Sequence, residues 1–326
     1  MPILVKVKRG DFIESIHVAY GVAVDENGDV AYVTGDPHYL TCVRSALKPF
    51  QAAASVQKGA VDGAGFTQKE LALMCASHNG EESHVKTVRS MLNNLGLNEY
   101  DLGCGSHGPY DLEARRALIK QNMEFTPSHN NCSGKHAGML ALAKHLNAGT
   151  KNYIQKDHPV QRAIFELVKN YTGQDQLSFG IDGCSAPTPF LTLVMIAGLF
   201  QKLASSNYSE LDPIYDAMTQ NPYMVAGRER FDTEFMTTVN GRGVCKVGGE
   251  AVRGFGIRKS DGTALGCAIK VLDGNMRALH PASMTFLNEM ELLTLEENNT
   301  LNHYSSPILK NHLDIEVGSI SAGIDY

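Results

Sequence analysis

The chain has 326 residues, seven cysteines, no tryptophan and a formal net charge of −6, with 43% hydrophobic and 20% charged residues. That length buries a sizeable core without disulfide staples, and the acidic excess gives no electrostatic basis for gripping a phosphate backbone or an anionic membrane. The cysteines Cys42, Cys75, Cys104, Cys132, Cys184, Cys245 and Cys267 are odd in number and contain no CxxC pair, so they read as reduced thiols and exclude sequence-local zinc modules.

Met1–Arg9 alternates apolar and basic residues, and Asp11 and Glu14 follow, so no signal-peptide core is expected. The longest apolar run, Phe190–Phe200, falls short of the roughly 20 residues that span a bilayer. A cytoplasmic protein without membrane or nucleic-acid partners is expected. Strands are predicted at Ile3–Val7, Phe12–Val18, Gly21–Val24 and Val30–Thr34, with Asn27-Gly28 supplying a hairpin turn. From Ser45 the pattern becomes helical. Thr67-Gln68-Lys69-Glu70 is a capping box opening the run Leu71–Ala76. Further helices are predicted over Ser83–Leu95, Leu112–Met123, Lys135–Leu146, Val160–Tyr171, Phe190–Ala204, Glu210–Thr219 and Arg230–Thr238. Strands return at Gly243–Val247, Val252–Arg258 and Ala264–Leu272, and Pro281–Leu293 reads as a terminal helix. Strands at both ends around helices predict an α+β fold: one antiparallel sheet built from N- and C-terminal strands, with a largely helical insertion over about 45–240 inside a single domain, 1–326. The weakest seam lies near Ser205–Ser209.

Four polar clusters and one lysine carry the candidate chemistry. In Arg44-Ser45-Ala46-Leu47-Lys48, serine and lysine share a helix face, where a neutral amine can take the hydroxyl proton. Ser55-x-x-Lys58 and Ser83-x-x-Lys86 satisfy the same pattern as plain surface. The strand-to-helix junction distinguishes Ser45, and Pro49 implies a tight or irregular first turn. Ala76-Ser77-His78-Asn79-Gly80-Glu81 reads either as a helix stop or as three hydrogen-bonding side chains beside the core. The densest cluster, Pro127–Met139, sets Cys132 and His136 four apart, a zinc-type ligand pair, while lacking the spacing of a phosphate-binding P-loop. Asp182 and Cys184 project to one side of an extended chain, although a buried cysteine is often only a small hydrophobe. Lys270 lies in an otherwise apolar strand, either as an edge gatekeeper or as a buried base.

Ser45–Gln51, Cys75–Glu81, Asn131–Met139, Asp182–Pro187 and Val225–Arg228 with Arg230–Thr233 resemble the signature blocks of the rhizobial-type L-asparaginases, in that family's order. The resemblance implies a fold similar to serine β-lactamases and penicillin-binding proteins, and hydrolysis of L-asparagine to aspartate and ammonia. It implies Ser45 as nucleophile with Lys48 as its base, and Ser77 as a proton relay partnered by Lys270. It also implies zinc held by Cys132, Lys135 and Cys184, with Arg44, His136 and Asp182 on the amino-acid end of the substrate, in a homodimer. Lys259 is a rival to Lys270, because Cys245–Arg258 departs from the family's usual sequence. A lysine ligand must be neutral, which makes Lys135 the costliest of the three. Alternatives are the same scaffold acting on glutamine, a β-lactam or a peptide, a zinc-dependent hydrolase using Cys132, His136, Asp182 and Cys184, and a non-catalytic amino-acid-binding protein.

Overall fold

The computed structural model describes residues 1–324. Strands β1 (Ile3–Arg9), β2 (Phe12–Val24), β3 (Val30–Thr34) and β4 (Leu40–Cys42) come first. Helices α1 (Lys48–Gln57), α2 (Ala60–Gly63), α3 (Gln68–Met74), α4 (Glu82–Asn94), α5 (Leu112–Lys120), α6 (Ser133–His145) and α7 (Pro159–Thr172) follow. After β5 (Phe179–Ile181) and β6 (Pro187–Thr192) come α8 (Leu193–Ala204), α9 (Asp212–Gln220), α10 (Pro222–Val225) and α11 (Phe231–Thr238). The chain closes with β7 (Gly243–Gly248), β8 (Val252–Arg258), β9 (Ala264–Val271), α12 (Met276–Glu289), α13 (Leu295–Leu301), β10 (Ile308–Lys310) and β11 (Glu316–Ile324). No helix of the described residues is long and apolar enough to cross a membrane.

Two compact units divide the chain. The first contains Met1–Ala46, Leu191–Ser205 and the chain from Glu234. Its antiparallel sheet runs β10-β11-β1-β2-β9-β8-β7, with β3 also paired to β2, so strands from both ends of the sequence do form one sheet. Helices α8 and α12 pack on it. Alternation explains β1, whose Ile3, Val5 and Val7 are buried while Lys6 and Lys8 are not.

The predicted elements differ from the structure in instructive places. The runs Phe12–Val18 and Gly21–Val24 are one continuous strand, because small residues around Gly21 interrupt the apolar pattern but not the ladder. Helix α12 starts at Met276 behind an Asn275 cap and contains Pro281, so the proline marks an interior position and not the start. Strands β10 and β11 have no counterpart in the predicted set; β11 is half-exposed and rich in Gly and Ser, which leaves no alternating signal.

The second unit contains Leu47–Phe190 and Ser206–Thr233. Its centre is α6, buried at every position from Ser133 to Ala143, with α1, α3 and α7 packed around it. The Thr67 capping box is formed as expected. Three segments meet beyond the end of α3: Ser77 and Asn79 donate backbone N–H groups to Val225 and Ala226 carbonyls, and His78 N–H donates to Asn131 O. Arg228 clamps this junction through Asp111 at 2.6 Å and Glu113 at 2.5 Å.

Candidate active site

Ser45 lies in the 3-10 turn Arg44–Leu47, and the α-helix proper begins only at Lys48. Pro49 therefore falls in the first helical turn, where its missing N–H costs nothing. Arg44 takes a positive φ of 50°, an unusual backbone for arginine immediately before the serine. After β7, the chain passes directly against this turn. A Cβ on Gly248 would stand 2.7 Å from Val43 O, and one on Gly249 would stand 2.9 Å from Arg44 Cζ.

That approach brings Lys246 into consideration, a residue passed over in the sequence. It is fully buried on β7, and its Nζ donates to Val247 O at 2.8 Å. The available signal was the Lys246-Val247-Gly248-Gly249 string, since glycine inside a strand marks a close backbone approach. Lys270 is not an edge residue: β9 lies between β2 and β8, and Lys270 is buried with its Nζ donating to Glu250 O. Burial lowers its pKa, against the attraction of Glu250 and Asp273. Glu250 also lies 4.0 Å from Arg44. Lys259, by contrast, sits in the β8–β9 hairpin turn, half-exposed.

In the second unit Lys48 is fully buried. Its Nζ donates to Ala76 O, to Asn131 O at 3.3 Å and to Ser77 Oγ at 3.0 Å. Two of these acceptors are carbonyls, which only N–H can satisfy; the third is a hydroxyl, which can donate as well as accept. A neutral Lys48 would keep both carbonyls satisfied and turn its lone pair toward Ser77. Of the other Ser-x-x-Lys pairs, Ser55 is buried and donates to Gly138 O, and Lys86 pairs with Glu82 on the surface.

The polar loop ahead of α6 and the turn after β5 form the second cluster. Cys132 caps α6, with its N–H on Asn130 Oδ1 at 2.8 Å. Asp182, Gly183, Cys184 and Ser185 make a tight turn closed by Ser185 N–H to Asp182 O, with Ser185 at φ 69°. The donor atoms of Cys132, Asp182 and Cys184 all lie within 4.8 Å of one another. Lys135 Nζ donates to Cys184 Sγ at 2.9 Å. The Cys132 thiol hydrogen bond, aided by the Lys135 charge and opposed by burial, pulls Cys184 down to about 5, so it stands as a thiolate. Cys132 is pushed up by that same bond and by burial. Burial alone would lower Lys135, but the charges of Cys184, Cys132 and Asp182 outweigh it and hold the residue as an ammonium. The donor set suits a soft divalent metal: two sulfurs and a carboxylate converge on one point, and a bound cation would displace the single thiol proton and the ammonium's role as counter-charge. His136 stands outside this group. Its ring is fully buried and turned to Tyr153, and burial followed by the neighbouring Lys135 charge lowers its pKa to about 3.

A model of the L-asparaginase II family matches residues 5–322. No curated protein matches the chain. A match over nearly the whole length, with a buried serine–lysine pair and a Cys-Asp-Cys cluster inside it, shows that the chain belongs to the L-asparaginase II family, which is one of asparaginase-type amidohydrolases.

Proposed function

We propose that the protein hydrolyses L-asparagine to aspartate and ammonia through an ester of Ser45. The observation that carries the reading is the buried Lys48, whose amine has two carbonyls to hold its N–H groups and a serine hydroxyl 3.0 Å away. Ser45 Oγ forms a bond to the side-chain carbonyl carbon of asparagine while Lys48, three positions downstream, takes the hydroxyl proton. The Lys48–Ser77 hydrogen bond gives that proton a route to the departing amine, which leaves as ammonia as the C–N bond breaks. Water then attacks the ester, returns a proton to Ser45 Oγ and releases aspartate. The backbone N–H of Ser45 supplies one oxyanion donor.

Lys270 and Lys246 are both buried lysines of the first unit, which also carries Ser45. Arg44, His136 and Asp182 bind the amino-acid end of the substrate, with Asp182 suited to its α-ammonium. Zinc would be held by Cys132, Cys184 and Asp182, with Lys135 joining only on loss of its proton; bound there, it would supply a fixed positive charge for orienting substrate. A β-lactamase-like fold, a single asparaginase domain, a cytoplasmic location and a homodimer complete the reading, and the antiparallel sheet carrying α8 and α12 supports the first of these.

The test is ammonia release from asparagine by wild type, Ser45→Ala, Ser77→Ala and Cys132→Ala, with and without added zinc. Unimpaired hydrolysis by Ser45→Ala refutes the covalent mechanism. Full activity of Ser45→Ala combined with loss on chelation would move the chemistry to the metal. Comparing asparagine with glutamine and a chromogenic β-lactam separates the substrate alternatives; one extra methylene is worth only about 10–200-fold.

A further inference from the structure

Helix α7, the loop before it and the start of β5 line a cavity of about 420 Å³, within the range of about 300–1,000 Å³ that small-molecule sites occupy. None of the residues assigned above to asparagine or zinc lines it. Its apolar part is aromatic: buried Phe165 and half-buried Phe179 have ring centroids 4.3 Å apart. Its polar part is Lys156, Arg162 and Lys169, with Glu166 as the single carboxylate. Arg162, Glu166 and Lys169 follow at i, i+4 and i+7 along α7 and so form one stripe, while Lys156 Nζ stands 4.7 Å from the Phe179 ring centroid in a cation–π contact.

Charge points to the class of ligand. Three cations against one carboxylate leave a local surplus of two positive charges, in a chain whose formal net charge is −6. Among the described residues none of the three makes an ion pair, although Glu166 is a helical neighbour of two of them. The cavity of about 380 Å³ between α4 and α5 shows the ordinary alternative, because its Lys86 and Arg89 are neutralised by Glu82 at 2.6 Å and Glu99 at 3.0 Å. A carboxylate ligand would answer only half of the surplus. A phosphomonoester carries about −1.5 to −2 charges and three acceptor oxygens, which match both the surplus and the forked donors of Arg162. Inorganic phosphate alone would leave the aromatic pair and Glu166 without a role. A nucleoside adds a flat ring for the phenylalanines and hydroxyls that can donate to the carboxylate.

We propose that this cavity binds a nucleoside monophosphate, with Arg162, Lys169 and Lys156 on the phosphate, the Phe165–Phe179 pair against the base, and Glu166 accepting from the ribose. The assignment stands apart from the asparaginase reading, since it uses none of the same side chains.

The test is calorimetric titration of the full-length protein with AMP, GMP, CMP and UMP, each compared with the two halves of such a ligand, adenosine and inorganic phosphate. At least one nucleotide should bind tenfold or more tighter than either half. The double variant Arg162→Gln with Lys169→Gln should weaken that nucleotide by about tenfold or more, the worth of a charge-assisted hydrogen bond. Phe179→Leu should weaken it by about fivefold or more while leaving inorganic phosphate within about twofold. Lys86→Gln, in the cavity whose cations are paired, is the control and should change nothing. An unchanged thermal midpoint verifies that the variants fold, as expected for side chains on the solvent side of α7. No nucleotide binding at millimolar concentration overturns the proposal, as does binding that survives the double variant. Inorganic phosphate bound as tightly as every nucleotide, with Phe179→Leu without effect, reduces the cavity to a plain anion patch and overturns it as well.

Discussion

Adding one methyl group to α6 sets helix propensity against steric exclusion, and the structure says which wins. Gly134 is the second residue of α6, and a Cβ there would overlap Leu73 O and stand 2.7 Å from Leu73 Cγ. Replacing glycine by alanine in a helix gains roughly 1 kcal/mol at most, and less near an end. Forcing a carbon into a backbone carbonyl costs typically about 1–3 kcal/mol, and more where the obstacle cannot rotate away. Leu73 O belongs to the last full turn of α3, so relief requires separating two buried helices. Gly134→Ala should therefore destabilise by about 2 kcal/mol net. Gly198, inside α8, is the matched control: a Cβ there meets nothing within 4 Å. Gly198→Ala should stabilise by about 0.5–1 kcal/mol through propensity alone. Urea unfolding midpoints of the two variants measure both terms. A Gly134→Ala protein as stable as wild type, or a Gly198→Ala protein that loses stability, would refute the packing argument. The first substitution also shifts Cys132, Lys135 and His136 relative to Ser77, because α3 leads into the Ser77 loop. Asparaginase activity should accordingly fall further than the folded fraction.

His78 and His84 are buried, and burial holds both below the ordinary imidazole range. The unfolded chain takes up their protons below about pH 6.5 while the folded chain does not, so their contribution is full above that pH and is lost as pH falls, at up to about 1.4 kcal/mol per pH unit per ring. His84→Phe should remove one ring's share of the slope in unfolding midpoints measured across that interval. Zinc at about a hundred times its dissociation constant should raise stability by about 2.7 kcal/mol, read as a shift in thermal midpoint, and Cys184→Ala should abolish the shift. Lys246→Met should lower kcat/KM for asparagine by about 10²-fold or more with the fold intact by circular dichroism, whereas Lys259→Met should stay within about twofold. A result in the reverse order would return Lys259 to the site. Gly227, at φ +112° with Glu81 Oε1 and Asn79 Nδ2 within 2.6 Å of any added Cβ, should not tolerate alanine; reduced soluble yield and a lowered midpoint check this.

Local chemistry was legible in the residues. The Thr67 capping box, the Asn27-Gly28 hairpin, the helical run from Ser45 onward and the return of strands at Gly243 depend on neighbours within a few positions, which periodicity and turn chemistry read directly. The polar clusters around Ser45, Ser77, Cys132 and Cys184 were likewise visible, because such side chains beside apolar helices have few structural uses. Only the tertiary structure decided their pairings. Cys132 and Cys184 are 52 positions apart, and Lys48 and Ser77 are separated by 29, yet hydrogen bonding acts over about 3 Å of space whatever the length of chain between. The same reason hid Lys246, whose full burial on β7 follows from strand order, and Tyr153, an unremarkable residue in a loop until Gly103 and His136 meet on its hydroxyl. Cys184 becomes a low-pKa thiolate because Cys132 and Lys135 reach its sulfur; burial with no such partner drives Cys267 the other way.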